Sequence, residues 1–147
     1  MKASPMIISF LAALGICTSL GMSSSQAQAR FSYMYTLMIN VVGPAANAVW
    51  ERSASDTLRE EDWRLLKLDS QRLAASADQI AFGGTSETEE QRAKSDTWQN
   101  WARAFREATS VLEQAVDQRD KTRVVSASDR LVEACEGCHM TFSGSVR

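Results

Sequence analysis

The chain has 147 residues, of which 44% are hydrophobic, and a formal net charge of -2 at pH 7. This is one domain's worth of sequence with enough apolar content for a real core, which excludes an intrinsically disordered chain. The weak acidity and the lack of a Lys/Arg-rich run exclude an electrostatic footprint for nucleic acid, so no nucleic-acid partner is expected.

The first residues have the layout of a secretory signal peptide. Lys2 precedes an apolar stretch at residues 6–22, and Ala27-Gln28-Ala29 follows as a cleavage site. We therefore predict a signal peptide over residues 1–29, cut after Ala29, and one domain over residues 30–147 in the bacterial periplasm. One alternative is an uncleaved membrane anchor, although the apolar stretch is short for a span of about 20 residues. A second is a lipoprotein modified at Cys17, which would need a small residue where Ile16 stands.

The mature chain is predicted to be all-α, because no alternating apolar run is bounded by turn residues. A first helix is expected over residues 31–53. Pro44 lies inside this helix and should kink or interrupt it near Gly43, because proline lacks the N–H that the helix needs. The expected apolar stripe comprises Phe31, Met34, Tyr35, Met38, Val42, Ala45 and Trp50.

Three more amphipathic helices follow. The second should begin at the capping-box spacing Thr57–Glu60 and end at Gly83–Gly84, and Ser86–Glu89 offers a capping box for the third. Asp120 can cap the fourth. The apolar face of the second helix holds Trp63, Leu66, Leu73, Ala77 and Ile80. That of the third holds Trp98, Trp101, Phe105, Ala108, Leu112 and Ala115, and that of the fourth holds Val124, Ala127, Leu131, Ala134 and Cys138. Four such helices with short connections predict an antiparallel four-helix bundle.

Residues 135–142 read CEGCHMTF and hold both cysteines of the mature chain together with its only histidine. Cys135, Cys138 and His139 stand at positions i, i+3 and i+4, so their side chains share one face of a helix. The C-x-x-C-H spacing is the attachment signature of a c-type haem. We predict one covalent haem c, with Cys135 and Cys138 as its thioethers and His139 as the proximal iron ligand.

Other roles for the two cysteines fit less well. A thioredoxin-like pair expects a βαβ setting, and a structural zinc site needs about four Cys or His ligands where the mature chain offers three. A plain disulfide would leave the histidine unexplained.

At these residues the chain resembles the class II cytochromes c, meaning cytochrome c prime and its methionine-ligated low-spin relatives. The resemblance covers essentially the whole mature chain. It rests on the C-terminal motif, on Phe142 three residues past His139, and on LMINVVGPAANAVW in the first helix. It implies a four-helix bundle with C-x-x-C-H near the end of the last helix. Cytochrome c prime usually has a basic residue just after the aromatic one, and Ser143 stands there instead.

The second axial ligand decides the function. A single histidine excludes bis-histidine ligation within one subunit, and Met140 adjoins His139 on the same helix. Either Met34 or Met38 therefore supplies the distal sulfur, or no residue does. The family pattern puts this ligand directly after leucine and six residues before proline, which selects Met38, with Met34 as runner-up.

A His/Met-ligated iron has no open coordination site, so we predict a periplasmic carrier of single electrons that is not an enzyme. The alternative is a five-coordinate, cytochrome c prime-like binder of small gases such as NO or CO. A haem peroxidase is disfavoured because no distal histidine is available.

Expected partners are redox proteins of unknown identity and, by the resemblance, a second copy in a homodimer; membrane contact is expected only through an uncleaved signal segment. Candidates for pairing with haem propionates are Arg30, Arg52, Arg103 and Arg106, and Trp50, Trp63, Trp98 and Trp101 are expected to be core or haem-edge aromatics.

Overall fold

The structure is a computed structural model that describes residues 32–142. The predicted signal peptide with its cleavage site, Arg30, Phe31 and Ser143 lie outside the described residues. The predictions that concern them stay predictions.

Residues 32–142 contain only helices and their connections, as the sequence predicts. None of these helices is long and apolar enough to cross a membrane. The elements in chain order are α1 (Tyr33–Leu37), a π-helical segment (Met38–Val42), α2 (Gly43–Ser53), α3 (Glu60–Phe82), α4 (Glu87–Ala93), α5 (Asp96–Asp117) and α6 (Lys121–Phe142).

The helices form the predicted antiparallel four-helix bundle. The first bundle helix is continuous from α1 through the π segment to α2, because Met38 and Val42 at the two junctions keep right-handed helical angles. It packs against α3 and α6, and α5 packs against α3 and α6. Because successive helices run in opposite directions, the end of α6 that carries the cysteines meets the start of the first helix.

The apolar residues that sequence periodicity assigns to α3, α5 and α6 do form the core. Leu66, Leu73, Leu112, Val124 and Leu131 are completely buried. Burial of such side chains contributes roughly 1.5–3 kcal/mol each and is the main force that holds the bundle together.

Pro44 is accommodated by the π segment, which confirms the predicted irregularity near Gly43. The N–H of Gly43 donates to the carbonyl of Met38, five residues earlier, in place of the usual α-helical bond. Leu37 and Val42, five positions apart across the wider turn, are both buried. Tyr35 lies in α1, before the π segment, and is 48% exposed. Placing Tyr35 on the apolar stripe was therefore wrong.

The start of α3 differs from the prediction. The helix begins at Glu60, and the carboxylate of Asp62 accepts the backbone N–H of Arg59 at 2.9 Å. Three consecutive acidic residues fill its first turn and interact favourably with the positive end of the helix dipole. Because the helix begins at Glu60 with Arg59 as its N-cap, the proposed cap at Thr57 was wrong. The predicted stop at Gly83, which has a φ of 88°, is confirmed.

The third predicted helix is two helices. The Ser86–Glu89 capping box exists, but it starts only the short helix α4. The chain then turns at Lys94, and the hydroxyl of Ser95 accepts the N–H of Trp98 at 3.2 Å to start α5. The prediction of one continuous helix was wrong because Ser95 provides a second N-cap.

Candidate functional site

Two neighbouring cavities lie at the end of the bundle where α6 meets the first helix. One has a volume of about 440 Å³ and is called the core cavity here; Val42, Trp50, Ile80, Trp101 and Phe105 are among the residues that border it. The other has a volume of about 430 Å³ and is called the end cavity; Ser32, Met34, Glu89, Arg92, Trp98 and Phe142 are among the residues that border it. Met38, Cys138 and His139 border both cavities, so the two spaces adjoin there.

The C-x-x-C-H residues lie on the last turns of α6. Cys135 borders the core cavity, and Cys138 and His139 border both spaces. Cys135 and Cys138 are not joined in a disulfide, and both are half-buried. The helix therefore presents the three predicted residues to the same cleft, as their spacing requires. Met140, by contrast, is 85% exposed.

The surroundings of the two thiols are apolar. Burial, with smaller contributions from Cys138 and Glu136, raises the pKa of Cys135 from 9.0 to about 11. Burial also raises the pKa of Cys138. Reactive or metal-binding cysteines need a lowered pKa so that they are thiolates at neutral pH. This pair has the opposite environment, which suits two sulfurs at the edge of an apolar ligand.

Gly137 lets an aromatic side chain contact the motif. A Cβ atom at this position would lie 2.1 Å from Cη2 of Trp101 on α5. Trp101 also borders the core cavity. The indole therefore lies directly against the helical turn between the two cysteines, a contact that the sequence signals only as a glycine inside a helix.

A second aromatic contact fixes the end of α6. The rings of Phe142 and Trp98 lie 5.1 Å apart between centroids, and both residues border the end cavity. The indole N–H of Trp98 donates to the carbonyl of Ile80 at 2.8 Å. Three helices are thus joined beside the cysteines, and the reading of Trp98 as a core aromatic is confirmed.

The two candidate methionines differ in position. Both are half-buried and pack against the hydrophobic core. Met38 borders both cavities, as His139 does, whereas Met34 borders only the end cavity. Of the two, Met38 therefore shares more of its surroundings with the histidine.

The arginines chosen from the sequence have other partners. Arg52 pairs with Asp69 at 2.7 Å and Arg106 pairs with Asp78 at 2.6 Å. Arg103 donates to the side chain of Asn100 at 2.5 Å. Among the described residues, Arg92 is the arginine that borders the end cavity. The sequence analysis did not select it. It lies in the last turn of α4, a helix that the sequence analysis did not separate from α5.

One buried polar atom beside the core cavity lacks a partner. The indole Nε1 of Trp50 is buried and has no hydrogen-bond acceptor among the residues that the structure describes. Since an unsatisfied buried donor costs about 1–3 kcal/mol, this N–H is suited to a polar group of a bound ligand.

A helical bundle with a cysteine–histidine cleft at one end is the architecture of a haem protein of the class II type. A sequence model of the family described as Cytochrome C' matches residues 55–143. This is more than half of the chain, which therefore belongs to the cytochrome c prime family and is a haem-binding c-type cytochrome. Membership implies a covalently bound c-type haem and is typical of exported proteins. No curated protein and no solved structure matches the chain.

The residues at the cleft fit such a haem. The core cavity has largely apolar walls and is bordered by both thiols and the imidazole. Arg92 borders the adjoining end cavity, and the buried indole N–H without a partner belongs to Trp50, a residue of the core cavity. The match begins at residue 55, after the first helix. Family membership therefore leaves open the contribution of Met34 and Met38.

Proposed function

We propose that the protein carries single electrons in the periplasm through one haem c whose iron is bound by His139 and Met38. Cys135 and Cys138 would hold the porphyrin through two thioethers. The observation that supports this proposal is that Met38 and His139 border the same two cavities, although they belong to the first and last helices of the bundle.

Each residue at the cleft would have a separate task. When bound, the haem supplies a one-electron iron couple. The thioether of Met38 would favour the reduced iron and raise the reduction potential. The apolar walls, among them Phe105 and Trp101, exclude water and so limit solvent reorganisation during electron transfer.

The margins of the cleft offer two groups for the propionates. Arg92 can pair with a carboxylate at the end cavity, and charge-assisted pairs of this kind are roughly twice as strong as neutral hydrogen bonds. The N–H of Trp50, a residue that borders the core cavity, is a second candidate donor. We propose Arg92 as the main partner because it brings a full charge.

His/Met ligation leaves no coordination site for a substrate, which is why we propose a carrier and not an enzyme. The alternative, a binder of NO or CO, requires that Met38 pack without binding iron. The absorption spectrum of the purified holoprotein distinguishes the two. A low-spin ferric spectrum with the weak far-red band of methionine ligation supports the carrier, and a high-spin spectrum that shifts readily with CO supports the gas binder.

Paired substitutions test the ligand itself. Met38→Ala should convert the low-spin spectrum into a high-spin one that responds to CO. Met34→Ala is the matched control, because this methionine lies one helical turn away on the same face. If only Met34→Ala removes the far-red band, then Met34 is the ligand and Met38 is not.

We also propose that the first helix contacts other proteins. Tyr35 and Ile39 lie on either side of Met38 in sequence and are 48% and 51% exposed. These apolar side chains support a contact with a redox partner or with a second copy of the chain. Sedimentation of the holoprotein, with Ile39→Lys as the variant, distinguishes a homodimer from a monomer.

A further inference from the structure

Glu89 is an acidic residue that is buried at the margin of the end cavity. Its side chain belongs to α4, and the residue is only 7% exposed. Burying a carboxylate is costly unless hydrogen bonds compensate for the lost water. Such a group requires a structural explanation.

The two carboxylate oxygens of Glu89 have different partners. Oε2 accepts the backbone N–H and the hydroxyl of Ser86, at 3.2 and 3.0 Å, and so completes the capping box of α4. Oε1 accepts the backbone N–H of Met34 at 3.1 Å, from a residue that is 55 positions away in the chain. The second contact is not needed to cap α4.

The contact with Met34 satisfies the start of the first helix. The first N–H groups of a helix have no intrahelical acceptor, and the helix dipole favours a negative charge there. Ser32 accepts the N–H of Tyr35 at 3.0 Å, and Glu89 accepts that of Met34. Burial alone would raise the pKa of Glu89, but the hydrogen bonds from Met34, Ser86 and Ser32 outweigh it and hold this pKa below its ordinary value.

Gly84 provides the space for this arrangement. A Cβ atom at Gly84 would lie 2.4 Å from Oε2 of Glu89, and the φ of +144° is one that other residues rarely adopt. The loop between α3 and α4 is therefore shaped around the carboxylate.

We infer that Glu89 is a positioning residue for Met38, an inference that rests on the proposed function. Met34 and Met38 are four residues apart, so fixing the N–H of Met34 fixes the helical turn that presents Met38 to the cleft. Only the five residues of α1 precede the π segment, which begins at Met38 itself. These contacts therefore act within five residues of the π segment, at the end of the first bundle helix where the backbone N–H groups lack intrahelical acceptors.

The test compares two variants of the holoprotein. Glu89→Gln replaces one acceptor oxygen with an amide that can only donate, so the side chain can no longer accept on both sides. Ser86→Ala is the matched control, because it weakens the cap of α4 and leaves the contact between Oε1 and Met34. The readouts are the far-red band of the ferric protein, the affinity of the ferrous protein for CO, and the thermal midpoint.

We expect Glu89→Gln to weaken the far-red band and to raise CO affinity about tenfold, which corresponds to the loss of one hydrogen bond to a charged group. Ser86→Ala should lower the thermal midpoint and leave the band and CO affinity unchanged. If both variants lose stability and both keep the band, Glu89 only caps α4 and the inference is wrong.

A second variant tests the same inference if Glu89→Gln does not fold. Glu89→Asp keeps the charge and can still accept from Ser86, but it is one methylene too short to reach Met34 as well. Loss of the band at native helicity supports the inference, and retention of the band overturns it. A wild-type protein without the far-red band would overturn His/Met ligation itself, whereas a band that persists in the Glu89 variants overturns only the positioning role.

Discussion

Gly137 and Trp101 are in direct contact at the centre of the cysteine motif. The position that a Cβ atom of Gly137 would occupy is 2.1 Å from the indole ring, well inside any allowed contact distance. The turn of α6 between the two cysteines is therefore covered by Trp101 of α5.

Gly137→Ala should destabilise the holoprotein because the new methyl group displaces Trp101. Overpacking of this kind typically costs about 1–3 kcal/mol. The better helix propensity of alanine would offset roughly 0.5–1 kcal/mol of this loss. Urea unfolding measures the net effect.

A double substitution identifies the cause of that loss. In a Trp101→Ala background, Gly137→Ala should no longer be destabilising, because the clash has no partner. If Gly137→Ala costs the same free energy of unfolding in both backgrounds, the indole is not the source of the effect.

Met38→His should change the reduction potential without opening a coordination site on the iron. Imidazole is a harder ligand than a thioether, so the reduction potential should fall while the spectrum stays low-spin and loses its far-red band. Potentiometric titration with optical detection measures both properties. Met34→His serves as the control and should leave the wild-type potential, since Met34 borders only the end cavity.

Arg92→Gln should lower the reduction potential, because it removes a positive charge that disfavours the oxidised iron. If Arg92 pairs with a haem propionate as proposed, the substitution should also raise the pKa of that propionate. The fall of reduction potential with pH would then move to higher pH. Arg106→Gln is the control, because Arg106 pairs with Asp78 on the outside of the bundle. Equal shifts in the two variants would mean that Arg92 acts only through the net charge of the protein.

The bundle could be predicted from the sequence because local periodicity is enough to define it. Leu66 and Leu73 in α3, and Val124 and Leu131 in α6, are seven residues apart within each helix and are all completely buried. The shared face of Cys135, Cys138 and His139 follows from the same geometry, because one helix holds all three residues. These features depend on residues that are close together in the chain.

The features that the sequence did not disclose depend on distant contacts. Glu89 looks like an ordinary capping residue until its second oxygen is seen to reach Met34. Arg92 borders the end cavity from the short helix α4, which ends before Ser95 starts α5. The five-residue spacing of Leu37 and Val42 follows from the π turn, which no 3.6-residue pattern reproduces.

The cysteine thiols provide a pH test of haem attachment. In the chain without haem, the pKa of Cys135 is raised by burial from 9.0 to about 11, so above pH 9 the unfolded chain loses a proton that the folded chain retains. Since the folded state then binds more protons, its stability should fall as pH rises from 9 towards 11, by at most about 1.4 kcal/mol per pH unit for one group. Chemical denaturation of the haem-free chain at several pH values measures this slope.

The holoprotein should not show this fall of stability between pH 9 and 11, because thioether sulfurs carry no proton to release. Cys135→Ala in the haem-free chain is the matched control and should reduce the slope by the contribution of that thiol. An equal slope in the haem-free chain and the holoprotein would show that Cys135 remains a thiol, and would contradict its proposed role in attaching the haem.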